Sequence, residues 1–110
     1  MSWIDEMSTE EFLLTIKHYI EIGKKQFIRR KGRNYRQDLI TLGIYSIDEV
    51  WEEILKLRVR DEYKPRELDR EYPDTPVFFF KKELNGKTAY IKLKFMAGRG
   101  AICLSFHPSE

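Results

Sequence analysis

One tyrosine, one histidine and several lysines recur at alternate positions in the last third of the chain, and their types and spacing could do chemistry. The stretch runs Val77-Phe78-Phe79-Phe80-Lys81-Lys82, then Asn85-Gly86, then Thr88-Ala89-Tyr90-Ile91-Lys92-Leu93-Lys94-Phe95, and closes on Ala101-Ile102-Cys103-Leu104-Ser105-Phe106-His107. Tyr90, Lys92 and Lys94 alternate with Ala89, Ile91, Leu93 and Phe95, the pattern of a strand with one buried face and one open face. Lys, Tyr and His on such a face suit cleavage of RNA by its own 2′-hydroxyl. One group takes the hydroxyl proton, another protonates the leaving 5′-oxygen, and cations stabilise the charge on the phosphorus oxygens. Histidine is the natural proton-transfer group near neutral pH. A tyrosine phenol ionises near pH ~10 in water and needs ammonium neighbours to favour its anion; Lys81 and Lys92 stand where such neighbours belong. Either of Tyr90 and His107 could be the base and the other the acid.

The turns predict how these strands pair. Asn-Gly between alternating runs is a strong hairpin signal, because both central residues of a type I′ turn need positive φ. With Asn85-Gly86 as a two-residue loop, Leu84 opposes Lys87, Lys81 opposes Tyr90 and Phe79 opposes Lys92. With Ala97-Gly98-Arg99-Gly100 as a four-residue loop, Met96 opposes Ala101, Lys92 opposes Ser105 and Tyr90 opposes His107. The same registers pair Phe80 with Ile91 and Phe106, Phe78 with Leu93 and Leu104, and Phe95 with Ile102. A slip of one residue would bury the lysines, so the apolar face fixes the register. Lys81, Tyr90 and His107 then form a row across three strands.

The elements that must position this row lie upstream. Ser8-Thr9-Glu10-Glu11 is a capping box, followed by Phe12, Leu13, Ile16, Tyr19 and Ile20 at helical spacing and by Gly23 as a stop. Gln26-Phe27-Ile28 is a short strand or an extended connection. A second helix starts around Asn34, turns Leu39 and Leu42 inward and ends at Gly43. Ser46-Ile47-Asp48-Glu49 is another capping box, opening a third helix with an apolar stripe of Ile47, Val50, Trp51, Ile54 and Leu55. These stripes are core against a sheet, Trp51 included. Between Arg58 and Pro76 charges alternate, three prolines occur and neither period survives, which predicts a long structureless connection. Such a connection either neutralises its own charges on the surface or carries Lys64, Arg66 or Arg70 over the polar sheet face.

Composition narrows the class. The 110 residues make one domain (1-110), with 42% hydrophobic and 35% charged residues, too apolar for disorder. No apolar run reaches membrane-spanning length, and Met1-Ser2-Trp3-Ile4-Asp5-Glu6 lacks the order of a signal peptide. The single cysteine, Cys103, suits a reducing cytoplasm. His18 and His107 are far apart and no Cys/His cluster has ligand spacing, so neither metal nor cofactor is expected. Charge is segregated behind a net +2. Seven basic residues and no acid lie between Lys24 and Arg36, and six basic residues face only Glu83 and Glu110 from Thr75 onward. That distribution favours a polyanion, although a solvated basic loop would read the same way. Gly-rich phosphate loops and Ser/His/Asp elbows are absent from the sequence.

Three segments carry a resemblance: Asp61-Glu62-Tyr63-Lys64, Ala89-Tyr90-Ile91-Lys92-Leu93-Lys94 and Ile102-Cys103-Leu104-Ser105-Phe106-His107. With helices first, then a loop, then a hairpin, the chain resembles the MqsR family of RNA-cleaving toxins, which look like divergent members of the RelE-like ribonuclease fold. The resemblance covers nearly the whole chain. Lys64 matches a lysine of the family's loop and Tyr90 a tyrosine of its second hairpin strand. The family's glutamine on the first hairpin strand is missing, since Val77 and Phe79 stand there, and its C-terminal lysine is replaced by His107.

The expected fold is therefore α+β, with N-terminal helices packed on one face of a small antiparallel sheet. The expected function is a metal-independent endoribonuclease toxin that cleaves mRNA, with Lys64, Tyr90 and His107 catalytic. Lys81, Lys92, Lys94, Arg66, Arg70 and Phe79 are the expected RNA-binding residues. The resemblance implies a cognate antitoxin as partner, with a helix-turn-helix DNA-binding region. Two other readings fit the same fold: a non-catalytic RNA-binding module using the basic face and Phe79, and a protein-interaction or immunity module using the charged loop.

Overall fold

The computed structural model describes residues 7–29 and 32–109. Three helices cover one face of a five-stranded mixed sheet, an α+β fold. In chain order the elements are α1 (Thr9–Glu21), β1 (Lys25–Phe27), α2 (Tyr35–Thr41), α3 (Ile47–Leu55), a 3-10 turn (Val59–Asp61), β2 (Glu62–Leu68), β3 (Pro76–Leu84), β4 (Lys87–Met96) and β5 (Gly100–Pro108). The spatial order is β1-β5-β4-β3-β2, so β4 is central. All pairings are antiparallel except β1 with β5, which is parallel. The expected antiparallel sheet is thus larger and mixed, because the chain between α1 and α2 and the chain after α3 supply the two edge strands.

The helices begin where their caps stand. Ser8 Oγ accepts from the Glu11 N–H at 3.1 Å while Glu11 reaches back to the Ser8 N–H, and Ser46 with Glu49 repeats the device. Asn34 caps α2 through the Gln37 N–H. Phe12, Ile16, Leu42, Val50 and Ile54 then pack onto Phe78, Phe80, Ile91 and Leu93 as one core, with the Phe12 and Phe78 rings stacked at 3.7 Å. Gly43 is required where α2 ends. Its φ is +78°, and a Cβ there would collide with Asn85, whose side chain donates to the Leu42 carbonyl at 2.9 Å. The hairpin turn is thereby locked to the helix layer.

The β3–β4 register is as predicted, from Leu84–Lys87 through Lys81–Tyr90 to Phe79–Lys92. The β4–β5 register is a correction in its first half. Met96 opposes Gly100, so the loop holds three residues, and Phe95 faces Ala101 and Leu93 faces Cys103 rather than Ile102 and Leu104. A β-bulge then inserts Leu104, and the ladder resumes at Lys92–Ser105 and Tyr90–His107 as predicted. Loop and bulge each shift the count by one, and the shifts cancel. Gly100 explains the tighter loop: its φ is +88°, and a Cβ would run into the Lys24 backbone, whose carbonyl accepts from the Ala101 N–H at 3.0 Å. Docking of β1 therefore sets where β5 begins. Ala101 and Cys103 join the core, and burial pushes the Cys103 thiol up to about 12.

The segment from Arg58 to Pro76 is a second correction. It is no structureless connection, since Glu62 to Leu68 forms the edge strand β2 with register shifts on either side of Lys64. Pro65 falls in that irregular stretch of an edge strand, where its missing N–H costs no ladder bond. The bulges also erase the two-residue period by which a strand is read from sequence.

Candidate functional site

The sheet face opposite the helices carries the site. Tyr90 on β4 and His107 on β5 lie directly opposite each other, their rings near-parallel with centroids 6.1 Å apart. Tyr63, from bulged β2, meets Tyr90 edge-on at 5.4 Å, so three rings run in a row across the sheet. Lys81, opposite Tyr90 on β3, holds its ammonium 5.9 Å from the Tyr63 ring. His107 Nδ1 lies 2.8 Å from the Pro108 carbonyl. A carbonyl can only accept, so Nδ1 carries the proton and Nε2 of the neutral ring keeps its lone pair.

Beside this row is a second cluster. Lys64 and Lys92 hold their ammonium groups 4.1 and 5.6 Å from the Phe79 ring centroid. Lys64 also pairs with Glu67 at 2.6 Å. That pairing raises the Lys64 pKa, so this ammonium serves as a charge and not as a base. The hydrogen bond and charge of Lys64, with help from Lys92 and Arg70, lower the Glu67 carboxyl, which stays ionised on the open face. Phe79 is only 5% exposed beneath these cations, so a base could stack on it only by displacing them.

Two of the expected RNA-binding residues are engaged elsewhere. Arg66 sits on the helix side of β2, over the Phe78 ring at 4.2 Å, and donates to the Met7 carbonyl and to Thr9 Oγ1. It closes an end of the core and does not reach the open face. Lys94 is on that face but 5% exposed, paired with Asp69 at 2.9 Å and lying over Tyr72. Asp69 also accepts from the N–H groups of Glu71 and Tyr72, and its own N–H donates to the Thr75 carbonyl. Lys94 thus anchors the segment between β2 and β3. Arg70, from that segment, lines a hollow of about 650 Å³ together with Lys64, Lys92, Val77, Phe79, Ile102 and Leu104.

The basic run before α2 contributes a separate cluster. Arg29 and Arg36 lie 5.3 and 5.8 Å from the Tyr35 ring, and Arg33 pairs with Asp38 at 2.8 Å. Arg30 and Lys31 lie outside the described residues. Among the described residues, no group of three or more His, Cys, Asp and Glu side chains is placed to hold a metal ion.

The structure therefore brings together Lys64, Tyr90, His107, Lys81 and Lys92, keeps Phe79 beneath two of them, and sets Arg66 and Lys94 to other tasks. The chain matches no family model and no curated protein. Sequence reasoning missed Tyr63 and Glu67 as members of this face. Tyr63 stood inside a motif already singled out, but strict alternation cannot put it on the same face as Lys64. Only the bulge does.

Proposed function

We propose that this chain is a metal-independent endoribonuclease that cleaves mRNA, a cytoplasmic toxin of the MqsR kind held in check by a cognate antitoxin carrying a helix-turn-helix region. The observation that carries the reading is the pairing of Tyr90 with His107 beside Lys64, Lys81 and Lys92 on a face the helices leave open. Nucleophile and electrophile both belong to the RNA, so the protein need only move two protons and stabilise charge. Nε2 of His107 takes the 2′-hydroxyl proton as the 2′-oxygen attacks phosphorus. The bond from phosphorus to the 5′-oxygen breaks, and that oxygen leaves with the Tyr90 hydroxyl proton. Lys64 and Lys92 offset the charge that builds on the non-bridging oxygens. The products are a 2′,3′-cyclic phosphate and a 5′-hydroxyl. The resemblance of the Tyr63-Lys64 and Tyr90 segments to the toxin family supports the same chemistry.

The test is incubation of the purified chain with mRNA in EDTA, with and without ribosomes, followed by mapping of product ends. Cyclic phosphate and 5′-hydroxyl ends in chelator, lost in Tyr90→Phe and in His107→Ala, are expected. RNA bound tightly but left whole between pH 6 and 9 would replace the enzyme by a binding module.

A further inference from the structure

The helix side of the molecule has an uncovered place of its own, at the corner where α2 leads into α3. Ile40, Ile44, Tyr45 and Ile47 line a hollow of about 410 Å³ there, bounded by Tyr35 and Arg36 at one end and Asp48 at the other. Ile44 is buried, but Ile40 is 50% exposed and Tyr45 77% exposed, so the hollow presents apolar surface to a visitor. Leu39, the neighbour of Ile40, already serves the core, and core packing does not account for Ile40. Single apolar residues on a surface need no explanation, whereas two that share one concavity do.

The two ends of the hollow differ in charge. At one end Arg36 Nε donates to the Tyr35 hydroxyl at 3.3 Å, and the Arg29 guanidinium stands over the same ring. Among the described residues neither guanidinium meets a carboxylate. The Arg36 hydrogen bond, against some desolvation and with help from the Arg29 and Arg36 charges, holds the Tyr35 phenol below its ordinary value. Two like charges about one ring repel, and an anion between them would offset that repulsion. At the other end Asp48, in the first turn of α3, bars a second anion.

The backbone says what form a visitor can take. The N–H groups of Leu42, Gly43 and Ile44 bond back to α2, and those of Tyr45 and Ser46 bond to the Glu49 carboxylate. An extended segment would find no donors along this connection. A helix satisfies its own backbone and needs only side-chain contact. We infer that the hollow docks an amphipathic helix of a partner protein, with its apolar side chains on Ile40, Tyr45 and Ile47 and its acidic end against Arg29 and Arg36. Tyrosine and arginine are the residue types that most often carry binding energy at such contacts. The helix side and the open face are opposite sides of one sheet, so this docking leaves Tyr90 and His107 uncovered. The inference goes beyond the ribonuclease reading and stands without it.

The test pans a phage-displayed library of random peptides of about twelve residues on the intact chain, then titrates the most enriched peptide into chain labelled on Ile methyls. Enriched peptides are expected to carry Asp or Glu at one end and Leu, Phe or Trp at helical spacing, and to shift the Ile40, Ile44 and Ile47 methyls. Arg29→Gln combined with Arg36→Gln is expected to weaken binding about tenfold, and Tyr45→Ala should weaken it too. The Ile16 and Ile91 methyls report whether either variant disturbs the core. Changing the peptide's acids to Gln should cost the wild type the same factor and the double variant nothing. The wild-type half of that comparison decides the point even if a chain variant unfolds. No enrichment, enriched peptides without acids, affinity indifferent to the peptide's acids, or shifts confined to Ile102 in the open-face hollow would overturn the docking site. Shifts of Ile40 and Ile47 on concentrating the chain alone would overturn it in favour of a second copy, and the same shifts with single-stranded oligouridylate in favour of an RNA contact.

Discussion

Lys92 and Lys94 are two residues apart on one strand and face the same side of the sheet, yet they have different neighbours and different work. Lys92 is half-buried beside the Phe79 ring, two residues along β4 from Tyr90, which meets Tyr63 and His107. Lys94 lies under the segment between β2 and β3, with a side chain 6% exposed against an Asp69 side chain 11% exposed. Alternation assigns a lysine to a face. What crosses above it decides whether it can meet a ligand. The open face thus has an end where rings and lysines stand uncovered and an end held shut by a buried ion pair.

The comparison breaks most visibly at the row. Tyr90→Phe and His107→Ala each delete one proton-transfer group from the open face and leave the helix-side core as it is. Each is expected to lower the cleavage rate ~10²–10⁴-fold, with loss of growth inhibition and with RNA affinity and unfolding midpoint near wild type. A variant that still cleaves at wild-type rate would remove that residue from the mechanism.

At the other end the expected effect is on stability. Lys94→Met leaves Asp69 a hidden charge without its ammonium and is expected to cost roughly 3 kcal/mol in urea unfolding. Adding Asp69→Leu should return much of that loss, since the penalty lies in the unmatched charge. If Lys94→Met unfolds at the wild-type urea concentration, the wall of the hollow is not held by this pair.

Acid should separate the two ends further. Burial pushes the Asp69 carboxyl up, but the Lys94 ammonium and the N–H groups of Glu71 and Tyr72 outweigh it and hold it below its ordinary value of 3.8. A depressed carboxyl stabilises the fold fully above its unfolded pKa and loses that contribution as pH falls through the folded one. The stability gap between the wild type and Asp69→Asn should therefore persist at pH 6 and close below about pH 4. A gap that widens on acidification would reverse the sign and exclude the pairing as its cause.

The smallest expected effect is at the rim. Lys64→Ala removes one exposed charge and should flatten the dependence of log K on log salt by about one unit while lowering the cleavage rate. Arg66→Ala, from the helix side of the same strand, should leave that slope as it is and lower stability instead, because its guanidinium covers Phe78. Equal slopes for the two variants would mean that the faces of β2 are not distinguished by RNA.

Much of this architecture was legible in residue order, and where it was not, the cause is local. Caps, glycine stops and apolar stripes located all three helices, because those signals act within a turn or two of chain. Asn85-Gly86 fixed the β3–β4 register for the same reason. The Tyr90–His107 pairing was reached through a loop one residue too long, and stands only because the Leu104 bulge restores the count. Edge strand β2 was invisible: its bulges and Pro65 break the period, and its pairing with β3 supplies the order its sequence lacks.

By itself the sequence determined the chemistry on offer, the open face that holds Tyr90 and Lys92, and the helices that cover the other. Those follow from side-chain type and from periods of two and about four residues, which any short stretch of chain carries. Only the tertiary structure decided which charged residues stay on the open face. Arg66 went to the core edge, Lys94 to Asp69, and Tyr63 and Glu67 to the site, because bulges and a docked loop join residues that no local rule relates. Register shifts and burial are settled by contacts between segments far apart in the chain, and a linear pattern does not encode their partners.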